Sequence, residues 1–448
     1  MIDIELATVN GLYEQGKYTE AKAGYEKIIK EQPDNIGAHH NLGLVCYQLG
    51  EYQRGLELFD HAYKNGLHES LVCRGNCQRA LDQYDLALAD YGRAFVENPE
   101  NASAYCNYGN TLREMGKPEL AIPFLQVSHK LNPNDVTTVF NESVAHLLSG
   151  DLLPGWDLYE SRWKYEHQKD TKPIIQRPEL SNEIINSDLQ GKTILLYSEQ
   201  GHGDTIQFCR YILPLRAKGA SIILVTSPQL FALFAGDPHI KVTNSFDNLG
   251  DFDYHCALLS LPRVFKTTLE TIPAPIKYLN ANDRAVQEWR KTLGPKTKMR
   301  IGFTWSGNRT TWINRYKGMK LENLVPLFSD ECQFVNLQHD ANDEELEILK
   351  KHNVLVVNDQ LKNFHDTAAL VSNLDLVISV DTAVAHLGGA LGVPTWVMLN
   401  AYGTDWRWLL NRSDNPWYPT ARLFRQPSFG NWTSVVNDVA QHLKLFKI

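Results

Sequence analysis

The sequence predicts an array of helical hairpins followed by a two-part α/β region. Three residue columns recur in step through the first third of the chain, and beyond residue 192 short apolar runs alternate with helical segments. A pair of turns rich in glycine and aspartate, each just after a predicted strand, supplies the candidate chemistry.

The first column is Gly16, Gly50, Asp82, Gly116 and Gly150, the second Ala21, Gly55, Ala87, Ala121 and Gly155, the third Tyr25, Phe59, Tyr91, Leu125 and Tyr159. Neighbours are 34, 32, 34 and 34 residues apart in every column. A turn residue, a small residue where helices cross and a large one beside it describe a helix-turn-helix unit, and Pro33, Pro99 and Pro133 end units. These features resemble the tetratricopeptide repeat, with about five units assigned to residues 1–168. The second unit is two residues short and has Leu67 where proline is expected, which predicts an irregular junction. Stacked repeats curve into a concave surface suited to a peptide or protein partner. Alternatively the array only stabilises or dimerises the rest, so a homo-oligomer stays open.

Residues 169–191 are polar, contain two prolines and read as a linker with at most one short helix. Beyond them strands are expected at 193–198, 221–226, 239–243 and 253–259 in a first half (192–290). In a second half (298–448) they are expected at 300–305, 333–337, 354–357, 374–379 and 395–399. Two Rossmann-like halves with mostly parallel sheets would place their strand ends at a cleft.

Composition agrees with a globular chain: of 448 residues, 43% are hydrophobic and 21% charged. A net charge of -8 offers no broad attraction for nucleic acid. No apolar run is long enough to span a membrane, no signal core opens the chain, and a cytoplasmic location is expected. The seven cysteines lack zinc-site spacing and are read as reduced thiols.

After TILLYS comes a glycine-rich turn, Gly201, His202 and Gly203, leading through Asp204 into a helix. Ile206 stands where a dinucleotide fingerprint needs glycine. Asp204 reads equally as a base facing the cleft or as a helix cap. In Ser379–Pro394 a strand ends near Asp381 and a helix begins near Thr382, whose open amides suit a diphosphate. Read alone, Asp381 is more simply a cap and His386 a packed helix residue. Asp251-Phe252-Asp253 reads as a loop and cap feature rather than a metal site, and Gln338 as a contact to the nucleotide or a plain strand end. Trp406, Trp408, Trp417 and Tyr418 read as a cleft wall or, more commonly, as core.

Together GxGDTIQF and SVDTAVAHLGGALGVP resemble bacterial glycosyltransferases of the heptosyltransferase-like, two-Rossmann (GT-B) class that carry N-terminal tetratricopeptide repeats. LYESRW (158–163), residues 261–279, GFTWSGN (302–308) and residues 405–426 extend the resemblance over nearly the whole chain. It implies Asp204 as the acceptor-activating base and Asp381, Thr382, Ala383 and His386 as donor-binding. It further implies donor contacts from Trp305, Ser306, Asn308 and Gln338, and a phosphate-binding cation at Arg315 or Lys317. Related sequences carry an acidic residue and Arg-Ser where this one has Asn314 and Lys317-Gly318, so the donor stays open. The last helix, about 432–446, is implied to fold back onto the first α/β half.

The resulting expectation is an inverting, metal-independent glycosyltransferase with a nucleotide-sugar donor, no further cofactor and a protein acceptor docked on the repeats. A lipopolysaccharide or other glycan acceptor is the alternative. From a different class, the chain would be a non-catalytic scaffold for protein partners.

Overall fold

Helix follows helix from the N-terminus: α1 (Ile2–Glu14), α2 (Tyr18–Glu31), α3 (Ile36–Gln48), α4 (Tyr52–Lys64), α5 (Ser70–Ala80), α6 (Tyr84–Glu97), α7 (Ala102–Glu114), α8 (Pro118–Leu131), α9 (Val136–Ser149) and α10 (Leu152–Tyr159). The computed structural model describes residues 2–165, 171–310 and 314–446, the side chains of residues 2–5 and of Arg315 excepted. It divides into two compact units, 1–146 and 147–448, with α10 in the second.

The recurring columns have physical causes. All five members of the first adopt a left-handed backbone, with φ of 72°, 78°, 61°, 72° and 88° from Gly16 to Gly150, and only Asp82 bears a side chain there. Ala21, Ala87 and Ala121 of the second are fully buried, as are Tyr25, Phe59, Tyr91 and Leu125 of the third. A fourth column is not evident from the sequence alone. A Cβ on Gly43, Gly75 or Gly109 would stand 2.8, 2.6 or 2.7 Å from Phe59, Tyr91 or Leu125, so each glycine is the socket for a third-column side chain. The two-residue shortening falls in α5, which has 11 residues where α3 and α7 have 13.

The second unit continues with α11 (Asn182–Ile185), β1 (Thr193–Tyr197), α12 (His202–Phe208), α13 (Ile212–Ala217), β2 (Ser221–Val225), α14 (Pro228–Phe234), β3 (Ile240–Thr243), β4 (Tyr254–Ala257) and α15 (Leu261–Val264). Then come α16 (Asp283–Leu293), β5 (Met299–Thr304), α17 (Asn314–Lys317), β6 (Cys332–Asn336), α18 (Asp343–Lys351), α19 (Phe364–Val371), β7 (Leu376–Val380), α20 (Ala383–Ala390), β8 (Thr395–Leu399), β9 (Ala421–Arg425) and α21 (Trp432–Leu445). Two wholly parallel sheets result, ordered β3-β2-β1-β4 and β6-β5-β7-β8-β9. The central strands are apolar on both faces; β7 and β8 are buried at every position.

Three expectations need correction. Residues 354–357 form no strand and contribute one bridge, Val335 to Leu355, while β9 is a strand that the sequence hides. As an edge strand with arginine at 422 and 425, β9 lacks the apolar run that marks its neighbours. The expected linker is not free chain: Leu180 N–H donates to His255 O (2.8 Å), His255 N–H donates to Pro178 O (3.1 Å), and Leu180, Ile185 and Leu189 are buried. The last helix packs on the second sheet rather than the first, because Trp432, Val435, Val436 and Val439 join the core of Ile301, Trp396 and Phe424.

Arg210 fastens the two α/β halves to each other. Fully buried, it donates to Trp417 O (2.5 Å) and to the Tyr278 hydroxyl (2.9 Å), with its guanidinium 4.6 Å from the rings of Tyr278 and Tyr418. The backbone amides of Tyr278 and Leu279 both donate to Ala390 O at the end of α20.

Candidate functional site

A cavity of about 710 Å³ lies where the turns after β1, β5 and β7 converge, within the size range of small-molecule sites. Its lining includes Gly201, His202, Gly203 and Asp204 from one half, and Ser306, Asn308, Lys317, Gln338, Asp381, Thr382, Ala383 and His386 from the other. Thus the residues singled out in the two motifs come together, although more than a hundred positions separate them in the chain.

Asp204 occupies the third position of α12. One carboxylate oxygen accepts from the Gly201 amide (2.8 Å), a reach back to the helix start, and the other is paired with Arg407. It is therefore a helix-start residue and a cavity wall at once. Burial pushes its carboxyl above the ordinary aspartate range, against the pull of Arg407. Behind the turn, Arg162 of LYESRW forks onto Glu199 (2.9 and 2.8 Å) and also donates to Glu160 (2.7 Å) and Ser260 (2.7 Å). Tyr159, Trp163 and Arg162 thereby brace the backbone that carries Gly201–Asp204.

Opposite, Thr382 caps α20: its hydroxyl accepts from the Val384 amide (3.3 Å) and lies 2.9 Å from Ser379 Oγ, itself 2.7 Å from Thr304 Oγ1. The amides of Ala385 and His386 reach Thr382 O. The helix start is consequently less bare than expected, and the positive end of the α20 dipole acts beside Lys317 instead. Lys317 Nζ stands 2.5 Å from Asp381 and 3.4 Å from Asp405. These two anions outweigh burial and raise its pKa, so it stays charged.

His386 is buried, stacked on Trp408 (centroids 5.2 Å apart), with Nδ1 2.8 Å from the Tyr418 hydroxyl. Burial lowers its pKa to about 3, so the ring is neutral. Gln338 acts from inside the loop: its Oε1 accepts from the amides of Trp305 (3.2 Å) and Ser306 (3.1 Å). Asn314 closes the same loop by accepting from Gly307 N (2.9 Å), which is what stands in place of an acidic residue.

Some expected site residues lie elsewhere. Trp305 is fully buried in the second core, its indole N–H donating to Glu345 (2.9 Å), so it supports the loop without reaching the cavity. The Arg315 side chain lies outside the described residues. Trp406, Trp408, Trp417 and Tyr418 are buried, the first and third packed with Phe208 and Trp156 and the other two with His386, and form core rather than a cleft wall. Asp253 caps β1 by accepting from Thr193 N (2.9 Å) and Lys192 (3.0 Å), as a loop reading anticipates.

Two residues escaped the sequence reading, Asp405 and Arg407. They complete a ladder of alternating charge across the cavity, Asp204, Arg407, Asp405, Lys317, Asp381. Their signal was a lone Asp-x-Arg inside the aromatic run DWRW, masked by the tryptophans on either side.

Comparison with known proteins bears on the helices first. Residues 10–50 match a family model described as a TPR repeat, and residues 74–136 one described as the tetratricopeptide repeat. The first unit is built of tetratricopeptide repeats. Over 500 aligned residues the chain is 24% identical to Protein FlbA of Caulobacter vibrioides, covering 96% of this chain and 82% of that protein. It is 27% identical over 135 residues to BBSome complex member bbs-4 of Caenorhabditis elegans, covering 30% of this chain and 29% of that one. Among solved structures, MamA from Desulfovibrio magneticus RS-1 is 18% identical with a TM-score of 0.33, covering 38% and 96% of the two chains. A thermophilic TPR protein of Thermus thermophilus is 19% identical with a TM-score of 0.35, covering 38% and 94%. Tetratricopeptide repeats suggest a protein partner. Among the described residues no helix is long and apolar enough to cross a membrane.

Proposed function

We propose that this chain is a glycosyltransferase of the GT-B, heptosyltransferase-like class, with a nucleotide-sugar donor in the cavity and a protein acceptor engaged by the repeats. What supports this most is that Asp204 from the first parallel sheet and Lys317, Asp381 and Thr382 from the second line one cavity at the carboxyl ends of their strands. Asp204 takes the proton of the acceptor hydroxyl as that oxygen bonds to the anomeric carbon with inversion, and the nucleoside diphosphate departs. Lys317 and the α20 dipole offset the charge that accumulates on the leaving diphosphate, a role that needs no metal ion. A glycan acceptor such as lipopolysaccharide would use the same chemistry.

One observation favours a non-catalytic scaffold. Lys317 and Arg407 are both already paired with carboxylates, three against two, so neither cation carries uncompensated charge for an incoming diphosphate. Thermal-shift measurement with a panel of nucleoside diphosphates separates the readings, since a ligand bound only by the native state raises Tm. Stabilisation by one of them, lost in Lys317→Met, supports the enzyme; no shift across the panel at millimolar concentration supports the scaffold.

A further inference from the structure

Arg407 is placed as an instrument rather than a bystander. Its side chain is only 7% exposed, with the guanidinium carbon over Trp406, 4.2 Å from the ring centroid. One terminal nitrogen is paired with Asp204; the other donates to Asp405 Oδ1 (3.0 Å), which also accepts from the Arg407 backbone amide (3.1 Å). Asn415 holds the Arg407 carbonyl from the far side (2.9 Å). Held on Asp405 through one terminal nitrogen, the guanidinium presents the other to Asp204.

We propose that Arg407 is a positioning residue for Asp204, aiming that carboxylate into the cavity and favouring its ionised form. The proposal rests on the reading of Asp204 as the base. Burial holds the Asp204 carboxyl above the ordinary range, and the adjacent fixed cation is the strongest pull back towards the ionised form. The Gly201 amide also favours the ionised form and Lys317 adds a weaker pull, but the remaining groups around Asp204 do not supply this. Glu199 in its own turn is committed to Arg162, and His202 is held towards its neutral form by burial. Tyr159 of α10 is a neutral phenol, and His386 of α20, packed on Gly203, is neutral. Asp405 opposes ionisation, and Lys317 is engaged with Asp381 and Asp405. Arg407 is the cation in direct contact.

The test compares wild type with Arg407→Met, which keeps the stem over Trp406 but removes the charge, and with Arg407→Lys, which keeps the charge. Asp204 ionisation is followed by carboxyl-carbon NMR, assigned with Asp204→Asn, beside the pH profile of kcat/KM for transfer. In Arg407→Met the Asp204 titration and the acid limb both move up by about one to three pH units. Arg407→Lys restores most of the shift, which a merely structural role would not require. If Arg407→Met does not fold, Arg407→Gln serves the same purpose. An Asp204 titration identical in wild type and the neutral variant overturns the proposal. A titration that moves in a protein without transferase activity upholds Arg407's role and removes the catalytic reading instead.

Discussion

Gly203 and His386 touch so closely that a Cβ on the first would stand 2.7 Å from Cδ2 of the second, and 3.4 Å from the Ala383 backbone. This contact joins α12 to α20, and with it the two motifs. Gly203→Ala must push the ring off Trp408 or part the helices, at about 1–3 kcal/mol for overpacking. A lower Tm together with weaker nucleoside diphosphate binding by calorimetry is expected; wild-type values for both would show that the contact is slack.

The neutral His386 sets a pH dependence. Its folded pKa, lowered to about 3, lies below that of the unfolded chain, so the unfolded state takes up a proton first. Stability is therefore lost as pH falls below the ordinary histidine value of about 6.5, by at most about 1.4 kcal/mol per pH unit. Denaturant unfolding of His386→Gln should show a shallower loss than wild type from about pH 6.5 to about pH 4.5. Parallel curves would place the proton elsewhere.

Arg162 is fully buried against Glu199, and removing one member of such a pair strands the other. Arg162→Met is expected to cost about 3–5 kcal/mol near neutral pH. Burial already raises the Glu199 pKa, and without Arg162 it rises further, so the folded state binds the proton more tightly than the unfolded one. The stability deficit of Arg162→Met should thus shrink as pH falls from about 8 to about 5, and a deficit that grows on acidification would contradict the pairing.

In the repeats, Asp82 occupies the left-handed turn position that glycine fills in the other units, with φ of 61°. Asp82→Gly should relieve about 1–2 kcal/mol of backbone strain, less the extra chain entropy of glycine and whatever the side-chain contacts of Asp82, the 3.5 Å approach of the Tyr84 hydroxyl among them, provide. A measured rise in urea midpoint is the expected outcome, and a fall would mean that the aspartate side chain outweighs the strain.

These residues also show what the sequence makes legible. The turn column, the buried aromatic column and most strands announce themselves because each repeats a local chemical requirement at fixed spacing. The sockets at Gly43, Gly75 and Gly109 do not, since a glycine inside a helix signals nothing until the ring that fills it is known. Within the candidate site, Asp204 and Asp381 are legible as motif residues beside glycines and a helix start. Arg407 and Asp405 are not, because their meaning arises only when DWRW is brought against α12 in space. Trp305 is the converse case: it sits in a motif just past the end of β5, and by continuing the alternation of Ile301 and Phe303 its side chain enters the core.

Turnover by Asp204→Asn tests the central proposal most directly. Asparagine can still accept from the Gly201 amide, and Arg407 retains Asp405, so the fold and the donor subsite should persist. At saturating donor and acceptor, transfer is expected to fall on the order of 10²- to 10⁴-fold, the usual contribution of a general base, with nucleoside diphosphate affinity little changed. Near wild-type turnover in Asp204→Asn would contradict a catalytic role and leave Asp204 as a helix-start residue only.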